Sequence, residues 1–173
     1  MESDIDLSGV CHKVDGTPEN DVSWTPIGGH VGGTSHYFNG TFDGNGHKAI
    51  NLYINRPELY DQGLFKLAYN SSTIKGLTVY GSVYGKASAS GIAAQNSGTI
   101  EDCASYVTVN AVDQRAAGVA AYNRGTIKGC SNYGDIGGNA TSLVLIGGIA
   151  GYSDGGSIID CSNYGKISGP GSC

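Results

Sequence analysis

Residues Cys130–Ile136 read CSNYGDI, and residues Cys161–Ile167 read CSNYGKI, the same heptapeptide with one change and an offset of 31 positions. Such a repeat is either a ligand site used twice or one structural unit that the fold needs several times. The likeness extends into a longer phrase with four copies, which are TIKGLTVYGSV from Thr73, TIEDCASYVTV from Thr99, TIKGCSNYGDI from Thr126 and SIIDCSNYGKI from Ser157. Four copies favour the structural unit.

A second phrase recurs with nearly the same spacing. Its copies are GLFKLAYN from Gly63, GIAAQN from Gly91, GVAAYN from Gly118 and GIAGYS from Gly148. Stretches of variable length, YGKASAS among them, separate the two phrases, so that insertions fall at one place in each unit. The repeat unit is therefore about 27 residues long.

Each unit has the residue pattern of short strands. Apolar residues do not recur at the spacing of a helix, whereas short runs of Val, Ile and Tyr are broken by Gly, Asn and Ser. A unit of this length matches one coil of a β-solenoid, since a propeller blade needs roughly 40 residues. The sequence predicts an all-β fold in which parallel coils stack at the ~4.8 Å spacing of paired strands.

Stacked coils bring equivalent residues of successive units into contact. Lys75, Glu101 and Lys128 then alternate in sign along one exposed column, which favours the pairing by roughly 0.2–1 kcal/mol per pair. Burial of one apolar side chain contributes more, roughly 1.5–3 kcal/mol. The predicted interior rows are Ile74, Ile100, Ile127 and Ile158; Leu77, Cys103, Cys130 and Cys161; Val83, Val109, Ile136 and Ile167; and Leu64, Ile92, Val119 and Ile149.

The composition excludes several classes of protein. The 173-residue chain is 39% hydrophobic and 14% charged, which suits one packed domain. A net charge of −5 with scattered Lys and Arg argues against nucleic acid as a partner. No apolar run is long enough for membrane insertion, and the N-terminus lacks the pattern of a signal peptide.

The segment Gln62–Val83 resembles the GLUG-motif repeats of bacterial cell-surface proteins, which also occur in N-terminal regions of immunoglobulin A proteases. The later copies look like variants of it, and WTPIG (Trp24–Gly28) with FNGTFDGNGHKAINLYIN (Phe38–Asn55) is similar to the segment that commonly precedes such repeats. The resemblance implies a right-handed parallel β-helix, secreted or displayed at the cell surface as part of a longer bacterial protein. It implies a repeat class and no particular activity.

We therefore predict one β-helix domain over residues 1–173. Residues 1–62 would form irregular first coils, 63–167 four GLUG-like repeats and 168–173 a truncated tail. The chain departs from the family pattern at Lys66, where a small residue is usual. It also departs in the insert CHKVDGTPENDV (Cys11–Val22), which leaves the path of the first coil open.

One column of tyrosines supplies the candidate ligand-binding residues, which are Tyr80, Tyr106, Tyr133 and Tyr164. An exposed aromatic row is a surface on which sugar rings or peptides can stack. Ring ladders between coils also stabilise a solenoid without any ligand, so both interpretations stay open. Two further columns are predicted, the tyrosines Tyr69, Tyr122 and Tyr152 with Gln95 in the gap, and the turn asparagines Asn70, Asn96 and Asn123.

Cysteines and acidic residues offer weaker candidates. The column of Cys103, Cys130 and Cys161 is interpreted as packing, because buried Cys behaves as a small hydrophobe. Cys11 and Cys173 lie outside that column, and either a disulfide between them or two free thiols fits the sequence.

The segment FDGNGH (Phe42–His47) resembles half of a calcium loop through Asp43 and Asn45. The later ligands and a terminal acidic residue are missing, and a glycine-rich turn explains the same residues more simply. We predict no metal and no cofactor.

Some β-helices degrade polysaccharides, which requires two carboxyl groups about 5–10 Å apart. Asp102 and Asp160 share a column, but Gly129 lies between them and the sequence indicates no cleft. The motifs His-Glu-x-x-His and Gly-x-Ser-x-Gly do not occur.

The prediction is thus a noncatalytic module of a larger bacterial surface protein. It would act as an adhesin-like face for a host glycan or extracellular protein, or as a structural spacer next to adjoining domains of the same polypeptide. The alternative is a fragment of a polysaccharide-degrading β-helix enzyme.

Overall fold

The computed structural model describes residues 1–14, 21–31, 34–138 and 145–169, and these form strands, turns and bends without a helix. Within these ranges no segment meets the length and apolarity of a membrane-crossing helix. The strands before the repeats are β1 (Ile5–Asp6), β2 (Gly29–Val31), β3 (Thr34–His36), β4 (Thr41–Asp43) and β5 (Lys48–Gln62). Those of the repeats are β6 (Phe65–Ala68), β7 (Thr73–Lys75), β8 (Thr78–Ser90), β9 (Ala93–Asn96), β10 (Thr99–Glu101), β11 (Ala104–Ala111), β12 (Arg115–Ala117), β13 (Ala120–Asn123), β14 (Thr126–Lys128), β15 (Ser131–Asn132), β16 (Ile136–Gly138), β17 (Leu145–Gly147), β18 (Ala150–Ser153), β19 (Ser157–Ile159), β20 (Ser162–Asn163) and β21 (Ile167–Ser168).

Three parallel sheets run along the stack, and successive coils add strands to each of them. The first sheet has the order β1-β5-β8-β11-β15-β20, with β12, β16, β17 and β21 continuing its rungs. The second has the order β4-β7-β10-β14-β19, and the third β6-β9-β13-β18. The hairpin of β2 and β3 is antiparallel and lies outside these sheets.

Equivalent residues of successive coils lie opposite each other. Ile100 of β10 has Ile74 of β7 on one side and Ile127 of β14 on the other. The described residues stack as about four coils of roughly 28 residues each, which confirms the β-solenoid predicted with coils of about 27. Its right-handed sense stays a prediction, in line with the strong right-handed preference of parallel connections.

The predicted interior rows form the core over most of the stack. Side chains such as Ile74, Ile100 and Ile127 are fully buried, as is Ile136. The exposed charge column is also in register, because Glu101 lies opposite both Lys75 and Lys128. Asp43 extends that column by one coil, and its Oδ2 lies 3.2 Å from Lys75 Nζ.

The prediction of an interior position was wrong for the last members of two rows. Ile158 is 46% exposed and Ile167 47% exposed. Both belong to the final coil of the described residues, where only one side of the row has a neighbouring coil. A solenoid core is closed by contact between coils, so a terminal rung leaves its inner side chains open along the stack axis.

The other end of the stack is covered by the first residues of the chain. Leu7 and Cys11 are buried, and the indole Nε1 of Trp24 donates to the carbonyl oxygen of Leu64 at 3.1 Å. His12 and Val22 form an antiparallel bridge across the insert, whose residues 15–20 lie outside the described ranges. Residues 170–173 of the predicted tail, including Cys173, also lie outside them, and Cys11 is a buried free thiol.

Candidate functional site

The four candidate tyrosines form a continuous ladder on the first sheet, which we call the tyrosine ladder. Tyr80 of β8 lies opposite Tyr106 of β11 in the parallel register, and Tyr133 and Tyr164 follow β15 and β20. Successive ring centroids are 4.5, 4.5 and 4.8 Å apart, with interplanar angles of 10°, 5° and 13°. The coil spacing thus sets the stacking distance of the rings.

This geometry determines which surface of the rings a ligand can reach. Tyr106 and Tyr133 each have a neighbouring ring on both faces, so they present edges and hydroxyls to solvent. Lys48 Nζ lies 5.9 Å from the Tyr80 ring centroid at one end of the ladder. At the other end Tyr164 is 66% exposed. Stacked pairs of this kind contribute about 0.5–1.5 kcal/mol beyond their buried area.

The hydroxyls of the ladder also affect one another. The pKa of the Tyr106 hydroxyl is raised, first by partial desolvation and then by Tyr133 and Tyr80. The raised pKa keeps the Tyr106 hydroxyl protonated at physiological pH, so it can donate or accept a hydrogen bond.

A second stack lies on the third sheet. Tyr122 and Tyr152 are 5.6 Å apart and nearly parallel, and the guanidinium of Arg115 lies 4.9 Å from the Tyr122 centroid. The Tyr122 hydroxyl donates to Asp154 Oδ2 at 2.8 Å, and Arg124 pairs with the same carboxylate at 3.0 Å. These polar groups satisfy one another and hold the turn after β13.

The predicted alignment of Tyr69 and Asn70 with this region was wrong. In the parallel register Leu67 lies opposite Gln95, and Ala68 lies opposite Asn96. Between β6 and β7 lie two more residues than between β9 and β10 or between β13 and β14, which shifts Tyr69 into a turn. There it stacks on Tyr37 at 5.4 Å.

The amide ladder that does form joins Asn96 to Asn123, with Nδ2 donating to Oδ1 at 2.8 Å. Asn132 and Asn163 of the heptapeptide form another, at 2.7 Å. Both ladders connect adjacent coils and give hydrogen-bond partners to the buried Asn96, Asn123 and Asn132. The first of them was predicted from the sequence, and the second was not.

The cysteine column lies in the core. Cys103 and Cys130 are buried free thiols, and Cys161 is half-buried in the last coil. The pKa of the Cys130 thiol is raised, first by its hydrogen bond with Cys103 and then by burial. A raised pKa keeps the sulfur as an unreactive thiol, which supports the packing interpretation.

Asp43 and Asn45 form a turn. The backbone N–H of Asn45, whose φ is 52°, donates to Asp43 Oδ1 at 2.8 Å, and Asp43 Oδ2 pairs with Lys75. Both carboxylate oxygens thus have partners within the fold. A group of three His, Cys, Asp or Glu side chains able to hold a metal does not occur among the described residues.

Asp102 and Asp160 also occupy a turn. Their φ angles are 51° and 50°, and the glycines at the same place in neighbouring coils, Gly76 and Gly129, have φ of 58° and 61°. This column needs the left-handed conformation, which Gly adopts freely and which Asp tolerates better than most residues. The alternation of Gly and Asp in the column therefore follows from backbone geometry.

One groove on the surface was not predicted from the sequence. A groove of about 730 Å³ lies beside the first coil, and we call it the bulge groove. The pairing of β5 with β8 shifts between Arg56 and Tyr60, and such a bulge redirects the side chains near it. Leu59 and Tyr60 point outward as a result, 43% and 51% exposed.

The remaining lining of the bulge groove comes from other elements. The hairpin of β2 and β3 contributes Gly29 and His36, and β6 contributes Lys66. Lys66, where the sequence departs from the GLUG-motif pattern, is one of its lining residues.

No family model matches the chain, and no solved structure matches it. A stretch of 106 residues is 29% identical to Halomucin of Haloquadratum walsbyi (strain DSM 16790 / HBSQ001). The matched stretch covers 59% of this chain and 1% of Halomucin. The chain is therefore similar to a small part of a very long protein.

Proposed function

We propose that this chain is a noncatalytic β-solenoid module of a cell-surface protein and that it acts as a spacer between adjoining domains. The observation that carries this proposal is where the repeated residues lie. The isoleucines and cysteines fill the interior, the Gly and Asp column forms turns, and the tyrosines and asparagines connect adjacent coils. The residue types that recur from coil to coil therefore serve the packing of one coil on the next.

A stack of coils is well suited to act as a spacer. Its length grows by about 4.8 Å with each added coil, and its cross-section stays the same. Each inner coil is stabilised by the coil on either side, so stiffness is distributed over the whole rod. Ladders such as Tyr106 on Tyr133 and Asn132 on Asn163 add contacts between coils at the surface and in the interior.

Two likenesses support a surface location. One is the match to a small part of Halomucin, which carries the name of the mucins, a class of extracellular protein. The other is the resemblance of Gln62–Val83 to GLUG-motif repeats. Labelling of intact source cells with an antibody against this module tests the proposal. We expect labelling without permeabilisation, and an epitope that becomes accessible only after lysis would overturn it.

The rival function is cleavage of polysaccharides. Its best pair of carboxylates, Asp102 and Asp160, sits in left-handed turns and is separated by the coil that holds Gly129. A reducing-sugar assay over a panel of neutral and acidic polysaccharides distinguishes the two functions. We expect no release of reducing ends above the background of heat-denatured protein.

The tyrosine ladder is the second candidate function, as an adhesive face for a glycan or an extracellular protein. The exposure of Tyr164 and the row of ring edges favour it. The test compares the parent with a Tyr106→Ala, Tyr133→Ala variant on arrays of glycans and matrix proteins. If the ladder is adhesive, the variant loses binders that the parent retains; identical arrays would leave the ladder a purely structural role.

A further inference from the structure

We infer that the bulge groove binds an anionic saccharide, meaning a glycan whose sugar rings carry carboxylate or sulfate groups. This inference goes beyond the spacer role, because it assigns a ligand to a surface that the repeats do not form. It depends on the charge of the groove, on its exposed ring, and on the hydrogen-bonding groups of its lining.

The charge of the groove is opposite to that of the chain. Arg56 and Lys66 line it together with apolar and neutral polar residues, and no Asp or Glu occurs in its lining among the residues that the structure describes. The chain as a whole carries a net charge of −5. A cationic groove on an acidic protein attracts anions at short range, where the screening length at physiological salt is about 8 Å.

Both cations are available to a ligand. Neither Arg56 nor Lys66 takes part in an ion pair within the described part of the chain. Arg56 Nη2 donates to the carbonyl oxygen of Ser23 and to Thr25 Oγ1, each at 3.2 Å. These two bonds hold the guanidinium in place and leave its other N–H donors for a carboxylate or sulfate, which Arg binds through paired hydrogen bonds.

Glu58 and Asp61 of β5 adjoin lining residues in sequence, and neither is among the lining residues that the structure describes. Asp61 borders a smaller pocket that shares Lys66 with the bulge groove. Its Oδ1 accepts a hydrogen bond from Gln95 Nε2 at 2.9 Å.

The groove also offers an aromatic ring of a kind that the tyrosine ladder does not. Tyr60 is 51% exposed, whereas the inner rings of the ladder are covered on both faces. Lys86 Nζ lies 4.8 Å from the Tyr60 centroid and adds a further positive charge next to the groove. A ring beside cations suits a charged sugar, whose apolar ring face packs on the aromatic and whose acid group meets the cation.

A neutral polar side chain also lines the groove. Gln62 is buried in the lining, and its Nε2 donates to the carbonyl oxygens of Tyr60 and Asp61. Its Oε1 accepts no hydrogen bond from the described residues. An acidic peptide also brings backbone N–H donors, so the preference for a saccharide rests on the exposed Tyr60 ring, on which a sugar ring face can pack.

The experiment is a titration of the whole chain, followed by calorimetry and by amide chemical shifts. The probes are oligogalacturonate, its methyl ester, a sulfated oligosaccharide and an oligomer of glutamate. We expect saturable binding of the two anionic saccharides with shifts at Tyr60 and Lys66, and weaker binding at higher salt. The methyl ester should bind at least about tenfold more weakly, because it loses one charged hydrogen bond. The glutamate oligomer keeps the negative charges but has no sugar ring to pack on Tyr60, and it should also bind at least about tenfold more weakly.

Variants locate the site. Lys66→Gln and Arg56→Gln should each weaken binding about tenfold. Lys128→Gln is the matched control, because it removes an exposed cation of the second sheet and should leave binding unchanged. Arg56→Gln also removes the hydrogen bonds to Ser23 and Thr25. If that change disturbs the segment around Ser23, the affinity of Lys66→Gln alone still tests the site.

Three outcomes would overturn the inference. They are the absence of saturable binding by either anionic saccharide, equal or tighter binding of the glutamate oligomer, and equal loss of affinity in the Lys128→Gln control.

Discussion

Ile100 and Ile127 are direct partners in the parallel ladder between β10 and β14, although 27 positions separate them in the chain. Both side chains are fully buried. Contacts of this kind join every coil to the next, so the stability of one coil depends on its neighbours.

Replacement of isoleucine by alanine should lower the free energy of unfolding more at Ile127 than at Ile158, although both belong to the same interior row. Ile127→Ala should lower the free energy of unfolding by about 2–5 kcal/mol, because it leaves a cavity between two coils. Ile158→Ala should cost less than about half as much, since Ile158 is 46% exposed on the last coil. Urea unfolding followed by circular dichroism measures both, and equal losses would contradict the one-sided packing of the final coil.

The glycine of the heptapeptide should not tolerate a methyl group. A Cβ at Gly134 would lie 2.0 Å from the carbonyl oxygen of Val107, and one at Gly165 would lie 2.0 Å from that of Gly134. We expect Gly134→Ala to destabilise the chain by about 1–3 kcal/mol through this overlap. Gly40→Ala is the control, because a Cβ there meets nothing within 4 Å and should change stability by less than about 1 kcal/mol. A neutral Gly134→Ala would mean that the coils are farther apart.

In the turn column that contains Asp102, a substitution should be tolerated only if the new residue can adopt the left-handed backbone conformation. Asp102 has a φ of 51°, so Asp102→Val should cost about 1–3 kcal/mol, whereas Asp102→Gly should stay within about 1 kcal/mol of the parent. The control is Thr99→Val in the preceding strand, whose ladder partners Thr73 and Thr126 carry no charge, and which we expect to be nearly neutral. Thermal unfolding of the three variants decides the matter. Equal tolerance of Val and Gly at position 102 would contradict the left-handed turn.

The free energy of unfolding should fall at high pH because the hydroxyl of Tyr53 loses its proton there. Its hydroxyl donates to Asp21 Oδ2, and burial together with that hydrogen bond raises the pKa of Tyr53 to about 12 from its ordinary value of 10. A folded-state pKa above the unfolded one means that the stabilisation is complete below about pH 10 and is lost as the pH rises towards 12. Tyr53→Phe should therefore be less stable at neutral pH and show a smaller loss between pH 10 and 12, measured by urea unfolding.

Asp21, the acceptor of this hydrogen bond, should make the free energy of unfolding fall at low pH instead of high pH. The pKa of Asp21 is lowered, chiefly by the hydrogen bond from Tyr53, so its stabilisation is present above the ordinary carboxyl pKa and is lost as the pH falls. In Tyr53→Phe the carboxyl pKa of Asp21 should rise, which a chemical-shift titration detects. An unchanged Asp21 pKa would mean that the two groups do not interact.

The repeat made most of the solenoid predictable. Ile100, Tyr106 and Asn132 each have a counterpart at the equivalent position of the neighbouring repeat. Parallel stacking of the coils brings such equivalent residues into contact. The alignment failed at Tyr69, because the first coil has two additional residues in a turn and sequence likeness alone does not show where coils resume their register. The inner position of Ile158 failed for another reason, since the row has no neighbour on one side.

The bulge groove could not be predicted in this way. It depends on how the non-repeating residues around Gly29 pack beside a bulge in β5, and neither element has a counterpart in a later coil. The left-handed column was visible in the sequence as the alternation of Gly76, Asp102 and Gly129, but a column of Asp also suits a carboxylate site. The φ angles distinguish the two interpretations.

The most direct test of the stacked coils is a nuclear Overhauser experiment on isoleucine methyl groups. Neighbouring coils ~4.8 Å apart should give strong contacts between Ile74 and Ile100 and between Ile100 and Ile127, with none of comparable strength between Ile74 and Ile127. A spectrum in which Ile100 contacts neither of the other two, or in which backbone contacts show antiparallel neighbours, would contradict the solenoid.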